Sequence, residues 1–215
     1  MLAACLEPLG LALGLAGSLL VMVACALPTW KVTAFVDSNI VVAQSTWDGL
    51  WMSCVVQSTG QMQCKVHDSV LALARDLQTA RALTVASAVF GVAALAVTVA
   101  GAQCTTCISH EQLKARVVNA GGVLYIVSAL CVLVPLCWMA NNIIVDFHDP
   151  HVPPSKKREI GAAIYIGWAA CALLLLGGTL LCCTFSRGAR GAYPVGYAPT
   201  KSLASSGDFD KKHYV

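Results

Sequence analysis

Charged residues are scarce in this sequence. Asp, Glu, Lys and Arg together make up 12% of the 215 residues, whereas they make up about a quarter of a typical soluble domain. Hydrophobic residues account for 57% of the chain. Such a composition leaves little room for a separate soluble domain, and it therefore predicts an integral membrane protein.

Patterns that bind nucleic acids or metals are also missing. The net charge of +3 is small and scattered, and no basic patch with interleaved aromatic residues occurs, which argues against a nucleic-acid partner. The histidines do not have the spacing of metal ligands: His67, His110, His148, His151 and His213. We therefore expect neither a metal site nor a cofactor.

Long apolar runs dominate what is present. Four of them can each cross a bilayer core of about 30 Å: residues 6–27, 80–102, 117–140 and 160–183. The first run is longer than a signal-peptide core and no clear cleavage site follows it, so we expect it to be retained. Arg81 stands at the head of the second run, where it can snorkel to the membrane interface. The runs predict an all-α transmembrane four-helix bundle over residues 1–183, with loops at 28–79 and 141–159.

The first loop has the composition of a small antiparallel β-sheet. Cys54 and Cys64 lie on either side of a Ser-Thr-Gly turn signal, in short runs at 52–57 and 61–67 that predict a β-hairpin. Two further strands are predicted at 30–36 and 39–44. A short amphipathic helix is predicted at the end of the loop, over residues 68–77.

The cysteines indicate which side of the membrane each end faces. Cys54 and Cys64 can form a disulfide across the hairpin, which needs an oxidising, extracellular side; two ordinary reduced cysteines are the alternative. Four cysteines adjoin the opposite ends of the second and fourth runs: Cys104, Cys107, Cys182 and Cys183. They are candidates for S-palmitoylation on the cytosolic side, or else plain thiols. Both interpretations place both termini in the cytosol, with a disordered tail over 184–215.

These features together resemble the claudin family. The W…GLW…C…C signature of that family is matched by Trp30, Gly49, Leu50, Trp51, Cys54 and Cys64. Arg81 matches the arginine that the family carries at the head of its second helix. The stretches CVVQSTGQMQCKV and GAAIYIGWAA are most similar to the endothelial barrier-type members. The chain departs from those members at Asp48, where they have a basic residue, and at His148 and Arg158, where they have tyrosine.

The resemblance implies a fold and a function. The fold is a transmembrane four-helix bundle with an extracellular five-stranded sheet, whose fifth strand comes from the second loop. The function is to polymerise with itself and other claudins in the same membrane and in the opposing membrane. The resulting tight-junction strands in the plasma membrane seal the space between cells against ions and small solutes. A charge-selective paracellular channel is the alternative.

The resemblance also implies roles for particular residues. Trp30 and the Gly49-Leu50-Trp51 group anchor the sheet on the bilayer. Val70 and Phe147 match positions of side-by-side contact, and His148 belongs to the part of the second loop involved in contact between cells. The candidate paracellular charges are of mixed sign: Lys31, Asp48, Lys65, Asp68 and Glu159. Lys65 and Asp68 can neutralise each other, which fits a barrier better than a channel.

The last residues of the tail predict a binding motif. His213, Tyr214 and Val215 end the chain, and a PDZ domain captures such a terminus by strand addition to its own sheet. The partners implied are the scaffold proteins of the zonula occludens.

One enzymatic alternative is a membrane thiol oxidoreductase, because Cys104 and Cys107 form a C-x-x-C pair. The other pair, Cys54 and Cys64, lies at the opposite end of the second run. Thiol exchange cannot cross the roughly 30 Å between them, so we do not expect an enzyme.

Overall fold

The computed structural model describes residues 2–33, 45–57, 60–67, 73–102, 111–153 and 157–191. Its four helices are α1 (Leu2–Ala26), α2 (Arg75–Gly101), α3 (Glu111–His148) and α4 (Ala162–Gly191). Each contains an apolar segment long enough to cross a membrane. The predicted four-span bundle is therefore confirmed.

Small residues let the helices of the bundle approach closely. α1 packs on α4 through facing glycines, and a Cβ atom added to Gly177 would lie 2.8 Å from the backbone nitrogen of Gly14. Between α2 and α3, Ser87 and Ser128 each donate a hydrogen bond to the other's carbonyl oxygen at 2.8 Å. Such small-residue contacts replace the hydrophobic driving force that is absent inside a bilayer.

The helices extend further than the apolar runs predicted. α3 continues through residues 141–148, which were predicted as loop. Ile143 is buried there, and Asn142 Nδ2 donates to Asp76 Oδ2 at 3.1 Å, so the extension packs against the bundle and satisfies its polar side chain. α4 continues through residues 184–191, which were predicted as tail, and α2 begins at Arg75.

The polar segments form one five-stranded antiparallel sheet. Its strands are β1 (Lys31–Thr33), β2 (Ser45–Asp48), β3 (Met52–Val56), β4 (Met62–Val66) and β5 (Arg158–Ile160), in the order β4-β3-β2-β1-β5. β5 comes from the connection between α3 and α4, as the family resemblance implied. Gly60, in the β3–β4 hairpin, has a φ of 80°, which glycine adopts without steric cost.

Two predictions about the first loop are only partly covered by the structure. The strand Ser45–Asp48 was not predicted, and the predicted strand at 39–44 lies outside the described residues. The predicted helix at 68–77 is only partly described: residues 68–72 lie outside the described part, and the residues from Arg75 onwards belong to α2.

Candidate functional site: the sheet and its junction with the bundle

Trp30 and Leu50 fix the sheet to the top of the bundle. Both side chains are fully buried in the main hydrophobic core. Trp30 Nε1 donates a hydrogen bond to the carbonyl oxygen of Ala24 at the end of α1, at 2.9 Å. The indole therefore buries its apolar area and also satisfies its one donor.

Gly49 lies very close to the backbone of Pro28, which only a residue without a side chain allows. A Cβ atom added at this position would lie 2.4 Å from the Cα atom of Pro28. The amide of Gly49 donates to the carbonyl oxygen of Met52 at 3.0 Å, which closes the tight turn between β2 and β3. Any larger residue would have to push this turn away from Pro28.

Arg81 joins α2 to the same turn. Its side chain is buried in the protein, with 7% exposed. Nε donates a hydrogen bond to the carbonyl oxygen of Leu50, and the guanidinium carbon lies 5.0 Å from the centroid of the Trp51 ring. The backbone acceptor and the ring face hold the charge inside the protein.

Trp51 is partly exposed, with 38% of its surface accessible. Its ring, with Met52, lines an apolar groove of about 740 Å³ between α1 and α2. Several groove side chains are exposed, among them Met22, Val85 and Val89. Exposed apolar residues on these two helices match the surface that a bilayer requires.

Cys54 and Cys64 form a disulfide between β3 and β4. They are directly paired in the strand register, with a Cα–Cα distance of 4.0 Å and a sequence separation of 10. Cys54 is fully buried. The bond joins the two strands at the middle of their five residue pairs.

The strand register places three of the predicted charges on one face. Lys31 is paired with Asp48 across β1 and β2, Asp48 with Ser53, and Ser53 with Lys65. Because side chains alternate along a strand, Lys31, Asp48 and Lys65 lie on the same face. Glu159 is paired with Val32, so it lies on the opposite face.

A fourth charge on this face was not among the five paracellular charges that the sequence indicated. Arg158 on β5 forms an ion pair with Asp48, with 3.2 Å between Nη2 and Oδ2. We call the surface that carries Lys31, Asp48, Lys65 and Arg158 the charged face. Arg158 contacts Thr33 over a separation of 125 residues, so no local pattern could have revealed the pair; only the departure from the family's tyrosine marked the position.

Some of the predicted residues cannot be placed. Asp68 and Val70 lie outside the described residues. The Lys65–Asp68 pair therefore stays a prediction. Lys65 itself is exposed on β4.

Phe147 and His148 were predicted to lie in a loop, but they belong to the last turn of α3. Their rings contact each other edge to face at 5.6 Å, and Lys157 Nζ lies 5.4 Å from the centroid of the Phe147 ring. His148 Nδ1 lies 2.8 Å from the carbonyl oxygen of Ile144. The helix thus holds both rings at the sheet end of the bundle.

A tight turn follows α3. The amide of His151 donates to Asp149 Oδ1 at 2.9 Å, and His151 Nδ1 lies 3.0 Å from the same oxygen. The hydrogen bond from the His151 amide, followed by that from its ring, lowers the pKa of Asp149. The carboxylate therefore stays ionised and keeps the turn closed.

The cysteines near the other end of the bundle differ in exposure. Cys183 is exposed. Cys182 is half-buried, with its Sγ 3.9 Å from the carbonyl oxygen of Asn119 on α3. Cys104, Cys107 and the terminal residues His213, Tyr214 and Val215 lie outside the described part of the chain. Within that part, no group of three His, Cys, Asp or Glu side chains is placed to hold a metal ion.

Comparisons with known proteins agree with this architecture. The family model described as PMP-22/EMP/MP20/Claudin family matches residues 6–181. The chain is 57% identical to claudin-5 of Homo sapiens over 215 residues, covering 99% of each chain. It is 51% identical to claudin-3 of Canis lupus familiaris, covering 98% of each chain, and 51% identical to claudin-6 of Homo sapiens, covering 100% of each.

Proposed function

Because the chain belongs to the PMP-22/EMP/MP20/Claudin family and is a tight-junction claudin, we propose that it forms barrier-type strands that seal the space between cells. The protein crosses the membrane several times and interacts with other claudins, as its relatives imply. The observation that carries the barrier proposal is the mixed sign of the charged face.

The proposal places the sheet outside the cell. The Cys54–Cys64 disulfide persists in an oxidising compartment, and the bond lies at the sheet end of the bundle. Because the helices cross the membrane four times, both termini then lie in the cytosol.

Charges of opposite sign on one face favour a seal. A narrow polar pathway selects ions by the sign of the charge that lines it. In the sheet register Lys31 on β1 lies directly opposite Asp48 on β2. Lys65 lies on the same face, on β4, two strands away from Asp48. Neither cations nor anions therefore meet a continuous row of opposite charge.

An anion-preferring channel is the second candidate. Three cationic residues and one carboxylate lie on the charged face in the described strands: Lys31, Lys65, Arg158 and Asp48. If the lysines of neighbouring copies lined one pathway, they would attract anions, so the functional test must measure selectivity as well as resistance.

Side-by-side assembly uses the outer end of α3 in this proposal. Phe147 is half-exposed on the last helical turn, so it can contact a neighbouring copy in the same membrane. His148 is exposed on the same turn and is expected to contact a claudin of the opposing membrane. An apolar ring held on a rigid helix loses little entropy on binding. Val70 is expected to take part in the same side-by-side contact.

The cytosolic side supplies the remaining contacts. We expect the terminal His213-Tyr214-Val215 motif to bind the PDZ scaffold proteins of the zonula occludens, and deletion of Val215 to abolish that binding. Among the juxtamembrane cysteines, Cys183 is the best-exposed candidate for palmitoylation, whereas Cys182 packs towards α3. Cys104 and Cys107 are expected to carry further acyl groups.

Expression in claudin-depleted epithelial monolayers tests the proposal. We expect freeze-fracture strands at cell contacts and a raised transepithelial resistance. The matched control is Cys54→Ser, which removes the disulfide and should reduce both. If the wild-type protein reaches cell contacts without forming strands, the strand-forming proposal is wrong.

A further inference from the structure

Arg158 reaches across a whole strand to pair with Asp48. Arg158 lies on β5 and Asp48 on β2, with β1 between them. The side chain passes over Thr33, its register partner on β1, and places Nη2 3.2 Å from Asp48 Oδ2. The ion pair therefore connects the segment between α1 and α2 to the segment between α3 and α4.

The Thr33 hydroxyl fixes the arginine in this position. It accepts a hydrogen bond from Arg158 Nη1 at 2.9 Å and a second from the amide of Thr46 at 2.8 Å. It donates its own hydrogen to the carbonyl oxygen of Thr46 at 3.1 Å. With one donor and two acceptor positions all in use, the hydroxyl holds the guanidinium in a defined orientation.

Partial burial keeps the pair closed. The side chains of Arg158 and Asp48 are 29% and 32% exposed, so water and salt screen their attraction less than at a fully exposed surface. Among the described strand residues of the charged face, Asp48 is the one carboxylate. Any attraction of this face for cations therefore depends on whether Asp48 is paired.

We propose that Arg158 acts as a selectivity-determining residue by withholding Asp48 from passing cations. The inference rests on the proposed function, because it concerns ions moving along the same charged face. With the pair closed, Asp48 presents no free negative charge to the pathway. With the pair open, the carboxylate can attract a hydrated sodium ion.

The test is the ratio of sodium to chloride permeability, from NaCl dilution potentials in claudin-depleted monolayers. Arg158→Gln should raise the ratio about sevenfold, because one unit charge about 7 Å from an ion in water changes the local concentrations of sodium and of chloride about 2.7-fold each, in opposite directions. Asp48→Asn should lower it, and the double variant Asp48→Asn with Arg158→Gln should return it to the wild-type value.

A charge-neutral variant separates pairing from net charge. Thr33→Val removes the hydroxyl that holds Arg158 and changes no charge. If the ion pair controls selectivity, the ratio should rise in this variant. If only the net charge of the face matters, the ratio should not change. Exchanging the charges with Asp48→Arg and Arg158→Asp should keep the wild-type ratio. Glu159→Gln is the matched control, because Glu159 neighbours Arg158 in sequence but lies on the opposite face.

Freeze-fracture images separate failure of this inference from failure of the proposed function. Absence of strands from the wild-type protein contradicts the proposed function itself. If strands form in every variant but Arg158→Gln and Thr33→Val leave the ratio unchanged, the withholding role is overturned. A fall in the ratio in Glu159→Gln as large as that in Asp48→Asn also overturns it, because the effect of a carboxylate would then not depend on its face.

Discussion

Arg81 donates a hydrogen bond from Nε to the backbone carbonyl oxygen of Leu50, which ties α2 to the turn between β2 and β3. The same guanidinium lies over the ring of Trp51. A charge buried at the head of a membrane helix is costly unless it is paired. Here the pairing positions the sheet, so the arginine has a structural role at the boundary between membrane and water.

Replacing Arg81 should therefore loosen the sheet. We expect Arg81→Ala to reduce the free energy of unfolding by about 2 kcal/mol, because the buried carbonyl oxygen of Leu50 loses its charged donor. The measurement is the apparent melting temperature of the detergent-solubilised protein. Arg75→Ala, at the exposed start of α2, is the control and should have little effect. Equal melting temperatures for both variants would contradict this role.

The disulfide should make a separate contribution. Cys54→Ser together with Cys64→Ser opens a loop of 10 residues, for which the chain-entropy model gives about 2–3 kcal/mol. We expect lower melting temperature and faster proteolysis within the hairpin, with α1 and α4 unaffected. Treatment of the wild type with a reductant should reproduce the variant, and a reduced protein as stable as the oxidised one would contradict the prediction.

Close packing of α1 in the bundle predicts a steric effect. A Cβ atom at Gly14 would lie 2.6 Å from Cζ of the buried Tyr125 ring. Gly14→Ala should cost about 1–3 kcal/mol, as overpacking of a dense core does. Leu15→Ala changes a side chain that is 40% exposed and serves as the control.

A second-site change tests the same clash. Tyr125→Leu removes the ring atoms that the new methyl group would meet, so it should restore part of the melting temperature lost in Gly14→Ala. If the losses of melting temperature in Gly14→Ala and in Tyr125→Leu simply add in the double variant, a clash with the Tyr125 ring is not the cause of the Gly14→Ala effect.

The turn after α3 predicts a pH effect of definite sign. Hydrogen bonds from His151 lower the pKa of Asp149 from its ordinary value. Because the folded pKa is the lower one, the stabilisation is present above the ordinary pKa and is lost as the pH falls through the lowered value. Carbon-13 titration of the Asp149 carboxyl should give a midpoint below that of an unperturbed aspartate.

His151→Ala distinguishes the two donors at Asp149. The backbone amide is the larger cause of the shift and remains in this variant, so the midpoint should stay below the ordinary value. A midpoint that returns fully to the ordinary value would assign the shift to the imidazole ring instead.

The sequence predicted the parts of the fold that depend on local pattern. Apolar runs identified all four helices, and the cysteines flanking a turn signal identified the β3–β4 hairpin. The end of α3 was missed because an apolar-run criterion stops at the first polar residues, Asn141 and Asn142. Met139 and Ile143, both buried four residues apart, carry the helical spacing that would have extended it.

Contacts between distant segments could not be predicted. The ion pair of Asp48 and Arg158 depends on β5 pairing with β1 in one register, and a shift of one residue would turn Arg158 to the other face. For the same reason, Glu159 was grouped with Lys31 and Asp48 from the sequence, whereas the sheet separates them.

The NaCl dilution potential of the wild-type protein tests the central claim most directly. Measured in claudin-depleted epithelial monolayers that have formed strands, it should be close to zero, with high transepithelial resistance, because neither sign of charge forms a continuous row along the charged face. A low resistance with a clear preference for chloride or sodium would contradict the barrier function and identify the protein as a channel-forming claudin.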